Sequence, residues 1–143
     1  MGGIDKSMMP LKGVPMIQYI AAQLEPHFSE ILIGADDSEK YGFLGKRVIQ
    51  DELKGLGPLM GIYSCLLSSG NDLNFITACD IPDIRIDFIA NMLDLSAGAD
   101  IVIPVNGNDE YEPLHAIYRK SVIPSALHLL NEKKLKISGL FGM

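Results

Sequence analysis

The stretch Leu73-Asn74-Phe75-Ile76-Thr77-Ala78-Cys79-Asp80-Ile81-Pro82 constrains this chain more than any other, because it is a short apolar run that stops abruptly in a carboxylate and a proline. Such a run reads as a strand buried on both faces, of the kind found in a parallel sheet with helices on either side. Ligands in open α/β sheets bind outside the carboxyl ends of the strands, which puts Asp80 at the mouth of a site. Pro82 ends the ladder just beyond it. On local pattern a second reading of Asp80 stays open, as the cap of a helix starting near Asp83.

The segments around this strand alternate in type. Met16, Ile17, Ile20, Ala21 and Leu24 follow a helical period from Pro15, with proline in the first turn, where its missing N–H costs nothing. Glu30 to Gly34 and Arg47 to Gln50 read as short strands, the second followed by Asp51. Gly55 to Ile62 is a glycine-rich turn running into a helix that carries Leu59, Ile62, Tyr63, Leu66 and Leu67 on one side. Its free amides could hold an anion or a base edge, and a tight loop packing the helix against a sheet explains Gly61 equally well. A helix from about Ile86 to Leu95 turns Phe88, Ile89, Met92 and Leu93 inward, and Asp100 to Pro104 is a further strand of buried type. After the turn cluster Asn106 to Glu110, the run Tyr111 to Arg119 contains Pro113 and reads as a strand entered through an irregular piece, compatible with an antiparallel direction. Helices over Val122–Leu130 and near Leu135–Phe141 close the chain. The alternation predicts an α/β fold with a mostly parallel sheet, in one domain over residues 1–143.

Charge and thiols narrow the function. With 12 basic and 18 acidic residues the chain carries a net −6, and its basic residues form no stripe, which argues against nucleic acid as a partner. Cys65 and Cys79 stand among apolar neighbours, as buried thiols do in a reducing cytosol, and lack metal-site spacing. The absence of a signal peptide or bilayer-length apolar run gives the expectation of a cytoplasmic protein with no membrane partner. A phosphorylated small molecule needs only a local arrangement of glycine amides and a lysine. Gly2, Gly3 and Lys6 offer one, although a flexible start with a solvated lysine has the same composition. His27 and His128 read as solvated or partly buried side chains, and His115 as either a ligand-facing or a packed strand residue.

The segments Met1-Gly2-Gly3-Ile4-Asp5-Lys6, Gly13-Val14-Pro15-Met16, Asp51 with Gly57-Pro58-Leu59-Met60-Gly61, Cys79-Asp80-Ile81-Pro82 and Pro113-Leu114-His115-Ala116-Ile117-Tyr118 resemble, in order and spacing, the MobA-type molybdenum cofactor guanylyltransferases of the nucleotidyltransferase superfamily. The resemblance implies a Rossmann-like three-layer α/β/α fold and an Mg2+-dependent transfer of GMP from GTP to molybdopterin, with release of pyrophosphate. It also implies site residues. Lys6 resembles the lysine that holds the nucleotide phosphates, with Gly2 and Gly3 as the end of the glycine loop. Asp51, Gly57, Pro58 and Leu59 correspond to the nucleotide pocket, and Asp80 to the magnesium ligand. A monomer is expected, making transient contact with cofactor-biosynthesis or acceptor proteins. Three departures stand out. The family's leucine-alanine-glycine-glycine loop with its arginine, expected ahead of Met1 together with the strand that feeds it, is not in this sequence. Gly34 stands where many members have asparagine, and an asparagine-containing motif is absent after Gly142. The alternatives are a molybdopterin cytidylyltransferase, a sugar-phosphate nucleotidyltransferase, or a noncatalytic nucleotide-binding or partner protein.

Overall fold

The computed structural model describes residues 6–35, 37, 39–53 and 55–141. Lys6–Met8 makes one 3-10 turn, and Pro10–Leu11 (β1) pairs with Val14–Pro15 (β2) in a tight antiparallel hairpin. Lys12 and Gly13 at its tip have φ of 52° and 86°, the left-handed pair that a two-residue hairpin demands. The chain passes from Pro15 straight into α1 (Met16–Leu24). The parallel strands β3 (Leu32–Gly34) and β4 (Arg47–Ile49) follow, in register from Leu32↔Arg47 to Gly34↔Ile49. Helix α2 (Gly57–Ser68) leads to β5 (Leu73–Thr77), then come α3 (Ile86–Asp94), β6 (Ile101–Val102), β7 (His115–Arg119), α4 (Ile123–Asn131) and a last 3-10 turn over Ile137–Leu140.

The architecture is mixed α/β, as the alternation of segments predicts, but the expectation of a mostly parallel sheet needs correction. Of the four strand pairings among the described residues, only β3–β4 is parallel. β7 lies between β5 and β6 and runs antiparallel to both. The reason is its approach. A bridge between Val105 and Tyr111 folds the turn back on itself, and so short a return can only deliver an antiparallel neighbour.

β7 organises the core. Ala116 and Tyr118 point into one apolar cluster with Leu59, Ile62 and Leu66 of α2 and Ala126, Leu129 and Leu130 of α4. Ile117, one residue out of phase, points into another with Ile20 and Leu24 of α1 and Ile89 and Met92 of α3. The two-residue period of a strand thus divides the helices between two sides. The Tyr118 hydroxyl donates to the Pro113 carbonyl at 2.7 Å, as a buried phenol should, and burial pushes its pKa well up.

β5 behaves differently from its sequence. Read as a strand buried on both faces, it is half-buried at all five positions, because one of its edges has no ladder partner among the described residues. Phe88, expected to face inward, is 39% exposed and lies parallel to the His115 ring at 6.5 Å between centroids. No described helix is long and apolar enough to cross a membrane.

Candidate active site

Gly34 and Ala35 at the carboxyl end of β3 and Thr77 and Ala78 at that of β5 line one cavity, together with several of the residues read as a site. Asp51 follows β4 through Gln50. The next amide, of Glu52, donates to the buried Ser64 hydroxyl of α2 at 3.0 Å, which pins the start of the loop against that helix. Gly57, with φ of 75°, bends the chain into α2 in a conformation that glycine adopts without strain, and Pro58 follows in the first turn. An added Cβ on Gly61 would stand in ordinary van der Waals contact with Asp51 Oδ1, at 3.7 Å, which places the first turns of α2 directly beneath the carboxylate. Asp51, Gly57, Pro58 and Gly61 line one cavity of about 750 Å³. The Leu59 side chain, in contrast, is fully buried in the core, so Leu59 can meet a ligand only through its main chain.

Asp80 is exposed two residues beyond the last paired amide of the β5 edge, since Ala78 still donates to the Leu114 carbonyl at 3.1 Å. It does not cap a helix. Helix α3 begins at Ile86 behind Arg85 and has no side-chain cap. The loop after Asp80 is held from outside the sheet by Gln23 of α1, whose amide donates to the Pro82 carbonyl at 2.7 Å and accepts from the Ile84 amide at 3.0 Å. Nothing in the helical pattern of α1 marks Gln23 for this task. Asp80 and Glu112 line a second cavity of about 330 Å³, which shares Ala78 and Leu114 with the first. Glu112 also accepts from Asn106 Nδ2 at 3.0 Å, which fixes its carboxylate beside the rim. Sequence reading missed Glu112, although it immediately precedes the Pro113 motif.

Lys6 is exposed at the start of its 3-10 turn and lines neither cavity. Ser7 Oγ and the Tyr41 hydroxyl lie 2.8 Å apart in a buried hydrogen bond, and Met8 packs against the cluster of Ile17, Ile33 and Tyr41. Gly2 and Gly3 lie outside the described residues. The structure therefore brings Asp51, Gly57 and Pro58 into one cavity and sets Asp80 and Glu112 in the adjoining one.

The thiols and the histidine near the rim are not poised as nucleophiles. Burial pushes Cys65 up to about 11, helped by the Asp51 charge, and burial with the Asp80 charge raises Cys79. Both stay protonated near neutrality and unbridged. Cys65 also accounts for Gly34, since an added Cβ there would meet its sulfur at 3.0 Å. His115 Nδ1 lies 3.0 Å from Thr77 Oγ1, with Phe75 edge-on at 5.0 Å. Burial holds its pKa below the usual imidazole value, against the opposing pull of Glu112 and Asp80. Among the described residues, no three His, Cys, Asp or Glu side chains form a metal cage. Two carboxylates at an open rim fit a hard cation that keeps most of its water and takes other ligands from phosphates.

Residues 1–139 match the model of the MobA-like NTP transferase domain. The chain is 34% identical to a probable molybdenum cofactor guanylyltransferase of Methanothermobacter thermautotrophicus, over 96% of this chain and 75% of that protein. It is also 34% identical to the molybdenum cofactor guanylyltransferase of Shewanella putrefaciens, over 96% and 72%. In fold it resembles the crystal structure of molybdopterin-guanine dinucleotide biosynthesis protein A from Archaeoglobus fulgidus, with a TM-score of 0.81 at 23% identity, covering 98% of this chain and 72% of that one.

Proposed function

The chain belongs to the MobA-like NTP transferase family, and from that membership we propose that it transfers GMP from GTP to molybdopterin with release of pyrophosphate. A terminal phosphate oxygen of the acceptor attacks the α-phosphorus of GTP. The bond from that phosphorus to the bridging oxygen breaks, and pyrophosphate leaves with the electron pair. The nucleophile is already ionised, so the reaction needs no strong base, in keeping with thiols held protonated and a histidine packed between aromatic rings. The difficulty is to bring anions together and hold them in line.

The observation that carries the reading is the shared rim. Asp51, Gly57 and Pro58 line the larger cavity, where a base and ribose would lie, and Asp80 opens into the adjoining one, where phosphates would lie. Asp80, with Glu112 as the second carboxylate, would hold Mg2+, which offsets phosphate charge when bound. Lys6, with the amides of Gly2 and Gly3, would add positive potential at the phosphates. The division of helices about β7 supports a three-layer, Rossmann-like arrangement. Measuring pyrophosphate release from GTP and molybdopterin tests the proposal, with CTP as competitor. Asp80→Ala should abolish transfer while the unfolding midpoint stays near that of the parent. Full turnover in that variant would remove Asp80 from the metal role, and preference for CTP would reassign the base.

A further inference from the structure

The transfer proposed above joins two molecules that each carry a planar 2-amino-4-oxopyrimidine ring, guanine in one and the pterin in the other. The larger cavity is taken by the first, so the second needs a surface of its own near Asp80. Three aromatic side chains among the described residues are largely exposed, Phe43, Phe88 and Tyr111. Of these, Phe88 alone lies parallel to another ring, that of His115, at 6.5 Å between centroids and 15° between planes. Rings in full face-to-face contact stand about 3.5–4 Å apart, so the imidazole leaves most of the Phe88 face uncovered. That side chain is 39% exposed and lines neither cavity.

Both rings are held in place from behind. His115 pairs with Thr77, three residues ahead of Asp80, and its Nδ1 lies 3.0 Å from Thr77 Oγ1. Its amide donates to the Glu112 carbonyl at 3.2 Å, so it stands between the segments that carry the two carboxylates of the site. Among the described residues nothing bonds to its Nε2, and a half-buried ring nitrogen left without a partner calls for one. Phe88 sits in the first turn of α3, where Asp87 Oδ1 accepts from the Phe88 amide at 2.9 Å. Gln23 fixes the approach to that turn through Pro82 and Ile84. Little ordering remains to be done when a flat ligand arrives.

We propose that Phe88 and His115 form the acceptor subsite, with the planar pyrimidinone ring of the pterin on the Phe88 face and its polar edge toward His115 Nε2. The stack supplies affinity, because any flat heteroaromatic ring has a face to offer. The edge supplies orientation. A pyrimidinone presents both donors and acceptors, so it complements Nε2 in either imidazole tautomer. The acceptor's phosphate then extends toward Asp80 and Glu112. The identity of the ring rests on the transferase reading, whereas the platform itself does not.

The probe is 6-hydroxymethylpterin, added to the whole chain and followed by its own fluorescence. Phe88→Leu keeps an apolar side chain and removes the ring, and it should weaken pterin binding by about tenfold. Phe88→Trp should retain it, and GTP affinity should be the same in all three proteins. In turnover, Phe88→Leu should raise KM for molybdopterin by a similar factor and leave KM for GTP unchanged. Equal pterin affinity in the parent and in Phe88→Leu would overturn the proposal, as would a parent that binds no pterin. Displacement of the pterin by guanosine would give the platform to the nucleotide and overturn it too. Phe88-dependent pterin binding without pyrophosphate release from GTP and molybdopterin would remove the transferase reading and leave the platform standing.

Discussion

β5 and β7 lie side by side in one ladder, five residues each, and they differ sharply in burial. Leu-Asn-Phe-Ile-Thr reads as a strand buried on both faces, and His-Ala-Ile-Tyr-Arg as the end of a strand entered through an irregular piece. Yet Ala116, Ile117 and Tyr118 of β7 are 0%, 1% and 0% exposed, while no residue of β5 is fully buried. The difference lies in neighbours. β7 is paired on both edges and covered by helices on both faces, whereas β5 is paired on one edge only among the described residues. How deeply a strand lies is set by what stands beside it, and hydropathy reports only what it can tolerate.

The sharpest way to break this comparison is to truncate one isoleucine in each strand. Ile117→Ala should destabilise the protein by about 2–5 kcal/mol in urea unfolding, and Ile76→Ala by less than half as much, since its surroundings already include open space. Equal losses would mean that β5 is as enclosed as β7. The next largest effect concerns the far end of β5, where Gln23 holds the loop that follows Asp80. Gln23→Leu should lower turnover of GTP with molybdopterin by about tenfold through misplacement, with KM for GTP little changed. A loss confined to KM would make the clamp part of substrate binding.

Within β7, Tyr118→Phe keeps the packing and removes the bond to the Pro113 carbonyl, and should cost about 1 kcal/mol. No change in the unfolding midpoint would show that the carbonyl finds another donor. The smallest effect sits where the two strands meet, at His115 and Thr77. Burial lowers the folded pKa of His115, so the unfolded chain takes up its proton first. Its contribution is complete above about 6.5 and is lost as pH falls through the lowered folded value. His115→Gln should flatten that part of the stability profile, and an unaltered profile would assign the slope to other groups.

Local pattern made much of this fold legible. Helices α1, α2 and α3, the strand before Asp51 and the turn at Gly57 are written in short-range periodicity, in the placement of Pro15 and Pro58, and in glycine. Asp80 was legible because a carboxylate directly after an apolar strand has few other places to go. What stayed hidden depends on contacts distant in sequence. Gln23 reaches residues 59 and 61 positions away, Glu112 gains meaning only when its loop folds next to Asp80, and Leu59 shares a motif with Gly57 yet turns into the core. The antiparallel direction of β7, which the sequence left open, follows from the folded turn before it.

Glu30 unites the amino ends of the two half-sheets. Its carboxylate accepts from Gly70 and Asn71 ahead of β5 and lies 3.9 Å from Arg47 at the start of β4, and the Gly70 amide above all holds its pKa below the usual carboxylate range. One side chain therefore gathers the segments that open three strands, β3, β4 and β5. The strands that carry Asp51 and Asp80 at their carboxyl ends are thus anchored to one another at their amino ends, at the side of the molecule away from the site.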